Sequence, residues 1–311
     1  MEMNQAVLKQ NKINSNHPHK LSKKLRKNWL WMLIIPAVAI RAITMLYPVI
    51  VTFVYSFMDY RVVKGIKEWG GLTNYIRLLN DPSVGASLQF TLIFTVCSMA
   101  LIIVLGIAFG LLLNAKFKGR KFLRSIALIP WAMPTIVIGI AMLWGFNGTY
   151  GFVDDMISKL IGQPFNFNWL SDKAGAQFAV IIVDVWKNVP FFAVMVLAAL
   201  QSIPNELYEA AHVDGANAFH CFFHITLPSI RSTLITMGIF FTLWRISSFD
   251  LVYAMTAGGP GTATNLISYK LFQETIKNLN YGYSSAIAVV LFMIMLVIAA
   301  SGMWAQKKLE D

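Results

Sequence analysis

The sequence predicts an all-α polytopic membrane protein with six transmembrane helices, and three observations carry that prediction. Of 311 residues, 57% are hydrophobic and only 13% are charged, whereas a soluble domain usually has roughly 25% charged residues. Mean hydropathy is correspondingly positive, at +0.59. Six apolar runs each reach the ~20 residues that a helix needs to cross the hydrocarbon core. Finally, the 26 Lys and Arg outnumber the 15 Asp and Glu, for a net charge of +11, and they collect at the ends of those runs as membrane topology requires. The positive balance therefore reflects insertion and is no sign of nucleic-acid binding. The two cysteines, Cys97 in an apolar run and Cys221 in a polar connector, make no disulfide framework and read as buried or free thiols.

Residues 1–29 form a basic tail, with Lys9, Lys12, Lys20, Lys23, Lys24, Arg26 and Lys27 against the single acid Glu2. It reads as a cytoplasmic segment that fixes orientation, with anionic-lipid binding as the alternative. A signal peptide is not expected, because the apolar run that follows is longer than the about 7–15 residues of an h-region and lacks a cleavage site. The first span covers about 30–58 and is interrupted by Pro36, Arg41 and Pro48; with its outer loop it makes a segment 30–87. The remaining spans cover about 88–113, 122–146, 177–200, 230–255 and 284–304, within a core of 88–306. Gly106 and Gly110 form a small-xxx-small step in the second span that permits close helix packing. Pro130 and Pro134 are expected to kink the third.

Orientation follows from Lys and Arg in short loops. With the tail inside, the inner segments are 1–29, 114–121, 201–229 and 305–311. The second holds Lys116, Lys118, Arg120 and Lys121 with no acid, and the last adds Lys307 and Lys308. The outer loops mix signs, with Arg61, Lys64, Lys67 and Arg77 beside Glu68 and Asp81, and Lys159 beside Asp154 and Asp155. Both termini, including the C-terminal 307–311, are then cytoplasmic, and so is the connector 201–229.

Catalytic chemistry is not expected. No G-x-x-x-x-G-K-[ST] phosphate loop occurs; the glycine-rich Gly258–Thr264 lacks the lysine and falls on the outer side. There is no H-E-x-x-H and no Cys/His zinc spacing. His212, His220 and His224 lie at helical spacing in the connector without an acidic or cysteine partner, so no metal is predicted. Asn147-Gly-Thr149 matches a glycosylation sequon, a pattern that is common by chance.

Polar groups inside the spans are more informative, since a central charge costs at least ~2.5–3.5 kcal/mol on insertion scales and normally faces a partner or an aqueous cavity. The fourth span contains Asp184-Val-Trp-Lys-Asn-Val-Pro190, and the fifth contains Trp244-Arg-Ile-Ser-Ser-Phe-Asp-Leu-Val-Tyr253. At ~3.6 residues per turn, Asp184, Lys187 and Asn188 share one helix face; Trp244, Ser247 and Ser248 share another, with Arg245 beside it. One reading is a midplane path of hydrogen-bonding and stacking groups suited to a polyhydroxylated solute. The other is a set of structural ion pairs, Asp184 with Lys187 or Arg245, and Arg245 with Asp250. The two readings are compatible. Arg41 has no evident partner in its span; snorkelling or a neighbouring chain would account for it.

The connector is the longest polar stretch after the tail. Glu209, Ala210 and Ala211 open a predicted helix that nothing up to Ala218 except Gly215 resists, and Pro228 suits the first turn of a new helix. Glu209-Ala-Ala211, three residues, Gly215, nine residues, Ile225, one residue, Leu227-Pro228 resembles the EAA loop of bacterial ABC importer permeases. The longer Leu200–Ala211 with Asp214-Gly215 resembles the carbohydrate-uptake, maltose-permease-like branch. Val185–Phe191 and Phe249–Pro260 agree, and the resemblance covers about 30–306. It implies a type I ABC importer permease fold in the bacterial inner membrane. It also implies the permease subunit of an ATP-driven, binding-protein-dependent importer for a sugar or oligosaccharide, forming half of the translocation path. The implied partners are a second homologous permease, two ATPase subunits that carry the ATP and Mg, and an extracellular solute-binding protein; no cofactor belongs to this chain.

By the same resemblance Glu209 pairs with a basic ATPase residue, Ala210 and Ala211 give a flat seating face, and Asp214 and Gly215 follow at the turn. The segments aligned with sugar contacts make Asp184, Trp186, Lys187, Asn188, Phe191, Trp244 and Arg245 candidates, with Ser247, Ser248 and Asp250 completing the path. This sequence departs from the maltose permease at several of these positions. It also lacks that permease's extra N-terminal spans and large outer insertion, as in the shorter six-span form. Within the same class, Arg245 and Lys187 suit an anionic solute such as glycerol phosphate. A self-sufficient secondary transporter is the alternative from another class, but it usually shows an internal repeat, and none is evident here. A non-transport scaffold would leave the polar midplane cluster without a purpose.

Overall fold

The computed structural model describes residues 22–310; residues 1–21 of the expected tail lie outside that range. The first helix begins within the expected tail. Ser22-Lys-Lys-Leu-Arg-Lys is made of good helix formers and already belongs to the first helix, α1 (Ser22–Ser56). Pro36 and Pro48 lie within α1 without ending it. The chain divides into two compact units, 1–54 and 55–311. The first is the body of α1, apolar and exposed around its circumference at Ile35, Val38, Ile43 and Tyr47, with Arg41 exposed among them.

The second unit opens with an element that an all-α reading does not contain. Strands β1 (Met58–Arg61) and β2 (Ile66–Trp69) form an antiparallel hairpin with Met58 opposite Trp69 and Arg61 opposite Ile66. Gly65, at φ 64°, supplies the left-handed residue that closes it. Met58 is therefore a strand residue, and the first span ends two residues earlier than expected. Short helix α2 (Thr73–Asn80) leads into α3 (Pro82–Asn114), whose first turn is capped by Asp81 accepting the Ser83 N–H at 2.9 Å.

The third span is broken rather than kinked. It consists of α4 (Arg120–Ala127), α5 (Ile129–Ala132) and α6 (Thr135–Gly145), and the two halves meet at 86°. Pro130 sits harmlessly in the first turn of α5, but Pro134 drives Met133 into extended conformation, at φ −71° and ψ 141°, which ends the helix. Amphipathic α7 (Phe152–Ile161) then leads to α8 (Lys173–Leu200), which carries Pro190 internally and is capped by Asp172 accepting the Gly175 N–H at 2.7 Å. α3 and α8 pack through the small-xxx-small step. A Cβ on Gly106 would stand 2.5 Å from Phe192 Cδ1, and one on Gly110 2.8 Å from Val196 Cγ1.

After the connector, with α9 (Asn205–Val213) and α10 (Ala218–Cys221), comes α11 (Leu227–Ser247). The fifth span also differs from expectation. It stops at Ser248, which is extended at ψ 144°, and α12 (Asp250–Met255) is a separate helix. Ser247 Oγ donates to the Leu243 and Trp244 carbonyls at 3.0 Å, the local competition by which serine weakens a helix end. α12 lies on α6, where a Cβ on Gly139 would meet Ala254 Cβ at 2.5 Å. Short α13 (Ile267–Phe272) precedes α14 (Tyr281–Glu310), which outruns its expected limits at both ends. Among the described residues five helices are long and apolar enough to cross a membrane, or six if the bent pair counts as one span.

Candidate functional site

α8, α11, α12 and the break between α5 and α6 surround a cavity of about 250 Å³. Eight of the predicted path residues line it: Asp184, Lys187, Asn188, Phe191, Trp244, Arg245, Ser248 and Asp250. Trp186 and Ser247 do not. Both are exposed; Trp186, two residues from Asp184, lies about 200° round the helix from it. Trp131 and Met133 of the break, Phe94 of α3, and Phe240 also line the cavity. Sequence reasoning missed these because their approach depends on the 86° bend and on inter-helix packing.

The polar groups resolve into two separate commitments. Arg245 Nε lies 2.8 Å from Asp184 Oδ2, with side-chain exposures of 3% and 12%, respectively. Its Nη1 donates to the Phe241 carbonyl at 3.1 Å and touches Met99 Sδ at 3.6 Å. Asp184 Oδ1 accepts the Asn188 amide at 2.9 Å, and the same amide also donates to the Asp184 carbonyl at 2.8 Å. Among the described residues there is no Asp184–Lys187 or Arg245–Asp250 ion pair, so those two pairings are corrected.

Lys187 instead points at the break. Its Nζ donates to the carbonyls of Met133 at 2.8 Å, Trp131 at 3.0 Å and Pro130 at 3.4 Å. A helix broken at membrane depth strands carbonyls without i+4 partners, and such backbone persists only where protein satisfies it. An ammonium with three donors fits that need. Trp131 stacks on Phe191 beside it, centroids 4.3 Å apart and planes within 7°. Both cations are thus spoken for. Beside the cavity, Arg245 Nη2 is buried without a hydrogen-bond partner among the described residues, and the lining is completed by the Asn188 and Ser248 side chains and the aromatic rings of Phe240 and Trp244. Such a lining hydrogen-bonds and stacks; it has no nucleophile paired with a base.

The connector forms a helix that begins four residues before Glu209, at Asn205. Glu209 and Ala210 are exposed and Ala211 is half-buried. Asp214 is the C-cap and Gly215 has φ +80°. The Gly215 N–H meets the His212 carbonyl at 3.1 Å and the Ala216 N–H meets that of Ala211 at 2.9 Å, a Schellman closure. Gly215 therefore ends the helix rather than bending it. The next helix starts at Ala218, ten residues before Pro228, capped by Asn217 Oδ1 accepting the His220 N–H at 2.8 Å. It passes through a π turn, Phe222–Thr226, into α11 without interruption, so Pro228 lies in a helical track already running. Tyr208 and Thr226 hydroxyls, 2.9 Å apart, tie α9 to that turn. His220 and His224 rings stack at 3.9 Å, and the described residues contain no group of three metal ligands.

The profile of the family described as binding-protein-dependent transport system inner membrane component matches residues 102–311. The chain belongs to that family. Its relatives include the trehalose/maltose transport system permease protein MalF of Thermococcus litoralis, 40% identical over 269 residues, spanning 86% of this chain and 89% of that protein. The sulfoquinovosyl glycerol transport system permease protein SmoG of Agrobacterium fabrum is 34% identical over 270 residues, spanning 86% and 87%. A chain of a bacterial alginate ABC transporter, solved with an alginate pentasaccharide-bound periplasmic protein, has the same fold. It superposes with a TM-score of 0.77 at 21% identity over 91% of this chain and 96% of its own. The fold is that of ABC importer permeases of type I, and the family places this multi-pass chain in the inner membrane as a transport subunit.

Proposed function

We propose that this chain is the permease subunit of an ATP-driven, binding-protein-dependent importer for a sugar or oligosaccharide. In that assembly it forms half of the path beside a second permease, receives solute from an extracellular binding protein, and draws on two ATPase subunits that hold the ATP and Mg. Both termini and the connector lie in the cytoplasm. The observation that carries the reading is the cavity, in which both cations are engaged by the protein while amide, hydroxyl and aromatic surfaces are left facing inward. Hydroxyl-rich rings hydrogen-bond to such groups and stack on such faces. The names of the trehalose/maltose relative and of the diacetylchitobiose uptake permease of Streptomyces coelicolor, 30% identical, point to the same solute class.

Coupling is assigned to α9. Exposed Glu209 pairs with a basic residue of the ATPase, Ala210 and Ala211 allow close seating, and the Asp214-Gly215 closure sets where the helix stops. Closure of the ATPase dimer on ATP would be carried to the spans by this seated helix. Replacing Glu209 by Lys leaves the chain inserted and abolishes both uptake and ATPase stimulation; normal uptake in that variant overturns the coupling role. One observation favours an anionic solute as a second reading, the Arg245 guanidinium beside the cavity, whose buried Nη2 has no hydrogen-bond partner among the described residues. Competition of labelled maltose uptake by neutral sugars against glycerol phosphate separates the two.

A further inference from the structure

At the end of the bundle away from the connector, α2 carries an apolar stripe that nothing among the described residues covers. Leu72, Ile76 and Leu79 are 60%, 60% and 83% exposed, and Trp69, just before them, is 72% exposed. Their spacing of four and three places the three aliphatic side chains on one helix face. The opposite face is used up. Leu78 is buried in a core with Val84, Tyr283 and Ile287, and Asn74 Nδ2 donates to the carbonyls of Ser56 at 3.0 Å and Met58 at 2.8 Å.

Those bonds also set the depth of α2. Ser56 is the last residue of α1, and the Tyr75 hydroxyl donates to its Oγ at 2.7 Å. The Arg77 guanidinium stands 4.1 Å over the ring of Tyr283, in the first turn of α14. The Tyr283 hydroxyl donates to Asp81, the cap of α3, at 2.7 Å. One short helix is thus bonded at the level where three long helices end. Aromatics gather at that level: Tyr55 against Tyr60 at 5.1 Å, Phe57 against Trp69 at 6.0 Å, and Tyr60 against Tyr281 at 5.3 Å. Tyr and Trp mark the membrane–water interface, where an apolar body and a polar tip are both accommodated. Along α3, Leu92 and Val96 are also exposed, at 65% and 57%.

We propose that α2 lies flat in the headgroup–acyl boundary of the membrane, with its Ile76 and Leu79, its N-cap Leu72 and the preceding Trp69 seated in phospholipid. An amphipathic helix with one apolar face and a charged flank takes that position when its depth is held. Docked this way, α2 anchors the ends of α1, α3 and α14 at a fixed height, so that motion delivered at the connector meets a stationary far end.

The test uses the full chain co-purified with its partner chains, with Cys97→Ala and Cys221→Ala as background. Leu79→Cys and Ile76→Cys on the stripe, and Thr73→Cys on the polar edge, are each labelled with an environment-sensitive fluorophore. The preparations are reconstituted in phosphatidylethanolamine–phosphatidylglycerol vesicles. All three positions are exposed, and the one bond given up is that from the Thr73 hydroxyl to the Gly70 carbonyl, 2.7 Å, on the exposed surface. At positions 79 and 76 a lipid nitroxide near the headgroup quenches severalfold more than aqueous iodide, and at 73 the order reverses. Preferential iodide quenching at 79 and 76 means a face open to water and overturns the proposal. Protection from both quenchers means a protein partner covers the stripe, and that also overturns it.

Discussion

The Asp184–Arg245 pair is the most exposed point of the site reading, because it can be broken from either side. The pair joins α8 to α11 across 61 positions of sequence at 2.8 Å, with the two side chains 12% and 3% exposed. Arg245→Met leaves the carboxylate with the Asn188 amide as its side-chain hydrogen bond and without an ion-pair partner within contact. Asp184→Leu strands a guanidinium left with a carbonyl, a thioether sulfur and the Phe241 ring at 5.4 Å. At this exposure water relieves little of either charge, and removing one partner of a buried pair costs about 3–5 kcal/mol. The double variant leaves neither charge behind and costs far less than the sum, a coupling of about 3 kcal/mol, at the top of the range for contacting residues. Unfolding by SDS titration in mixed micelles, followed by tryptophan fluorescence, measures all four corners of the cycle. Additivity within about 0.5 kcal/mol would refute a structural ion pair here. Uptake adds a second readout: recovery of stability without recovery of transport in the double variant assigns the pair a role in transport beyond stability.

Lys187→Met keeps the length of the side chain but leaves three carbonyls of the break without a donor, at about 1–3 kcal/mol for buried unsatisfied groups. Lys187→Gln restores part of the loss, and an unchanged unfolding midpoint in the Met variant would contradict this role of Lys187. Gly282→Ala drives a methyl into the Met58 carbonyl oxygen and the Tyr60 nitrogen. Overpacking of this kind costs about 1–3 kcal/mol, more than the helix propensity that Ala regains, and increased protease cutting in the hairpin reports it. The last prediction concerns acid. Burial pushes the Asp81 carboxyl up, but hydrogen bonds from Ser83 and Tyr283 and the charge of Lys270 outweigh it and hold the pKa below the ordinary carboxylate value. A lowered folded-state pKa means that this group's stabilisation is complete above about pH 4, the unfolded value. It is lost as pH falls through the folded value. The Asp81→Asn variant therefore has a smaller acid-induced drop in stability than the parent, and identical pH profiles would exclude the effect.

Much of the site was legible because its signals are local. Asp184, Lys187 and Asn188 lie within five positions of one helix, so their common face follows from the helical repeat, and the structure lines one cavity with all three. Rotational phase is less secure where a helix ends: the helical repeat groups Ser247 with Trp244 and Ser248, yet α11 stops at that point and Ser247 does not line the cavity. Trp186 shows the opposite failure, since its place in a polar run said nothing about its direction.

Apolar length, basic flanks and the Glu-Ala-Ala…Gly spacing by themselves determined that this chain crosses a membrane repeatedly and which family it resembles. Each of these depends on free energies summed over one segment and its solvent: the transfer of a helix into lipid, or the left-handed turn that only Gly215 takes without strain. Tertiary structure decided the rest. Two cations competed for Asp184, and only packing placed Arg245 beside it and turned Lys187 to the stranded carbonyls of the break. Pro134 foretold an interruption but not an 86° bend, because the angle is set by what the two halves pack against, notably α12 on α6. The far-end cap, with its hairpin over Gly282 and its exposed stripe on α2, is likewise a product of contacts between segments more than two hundred residues apart.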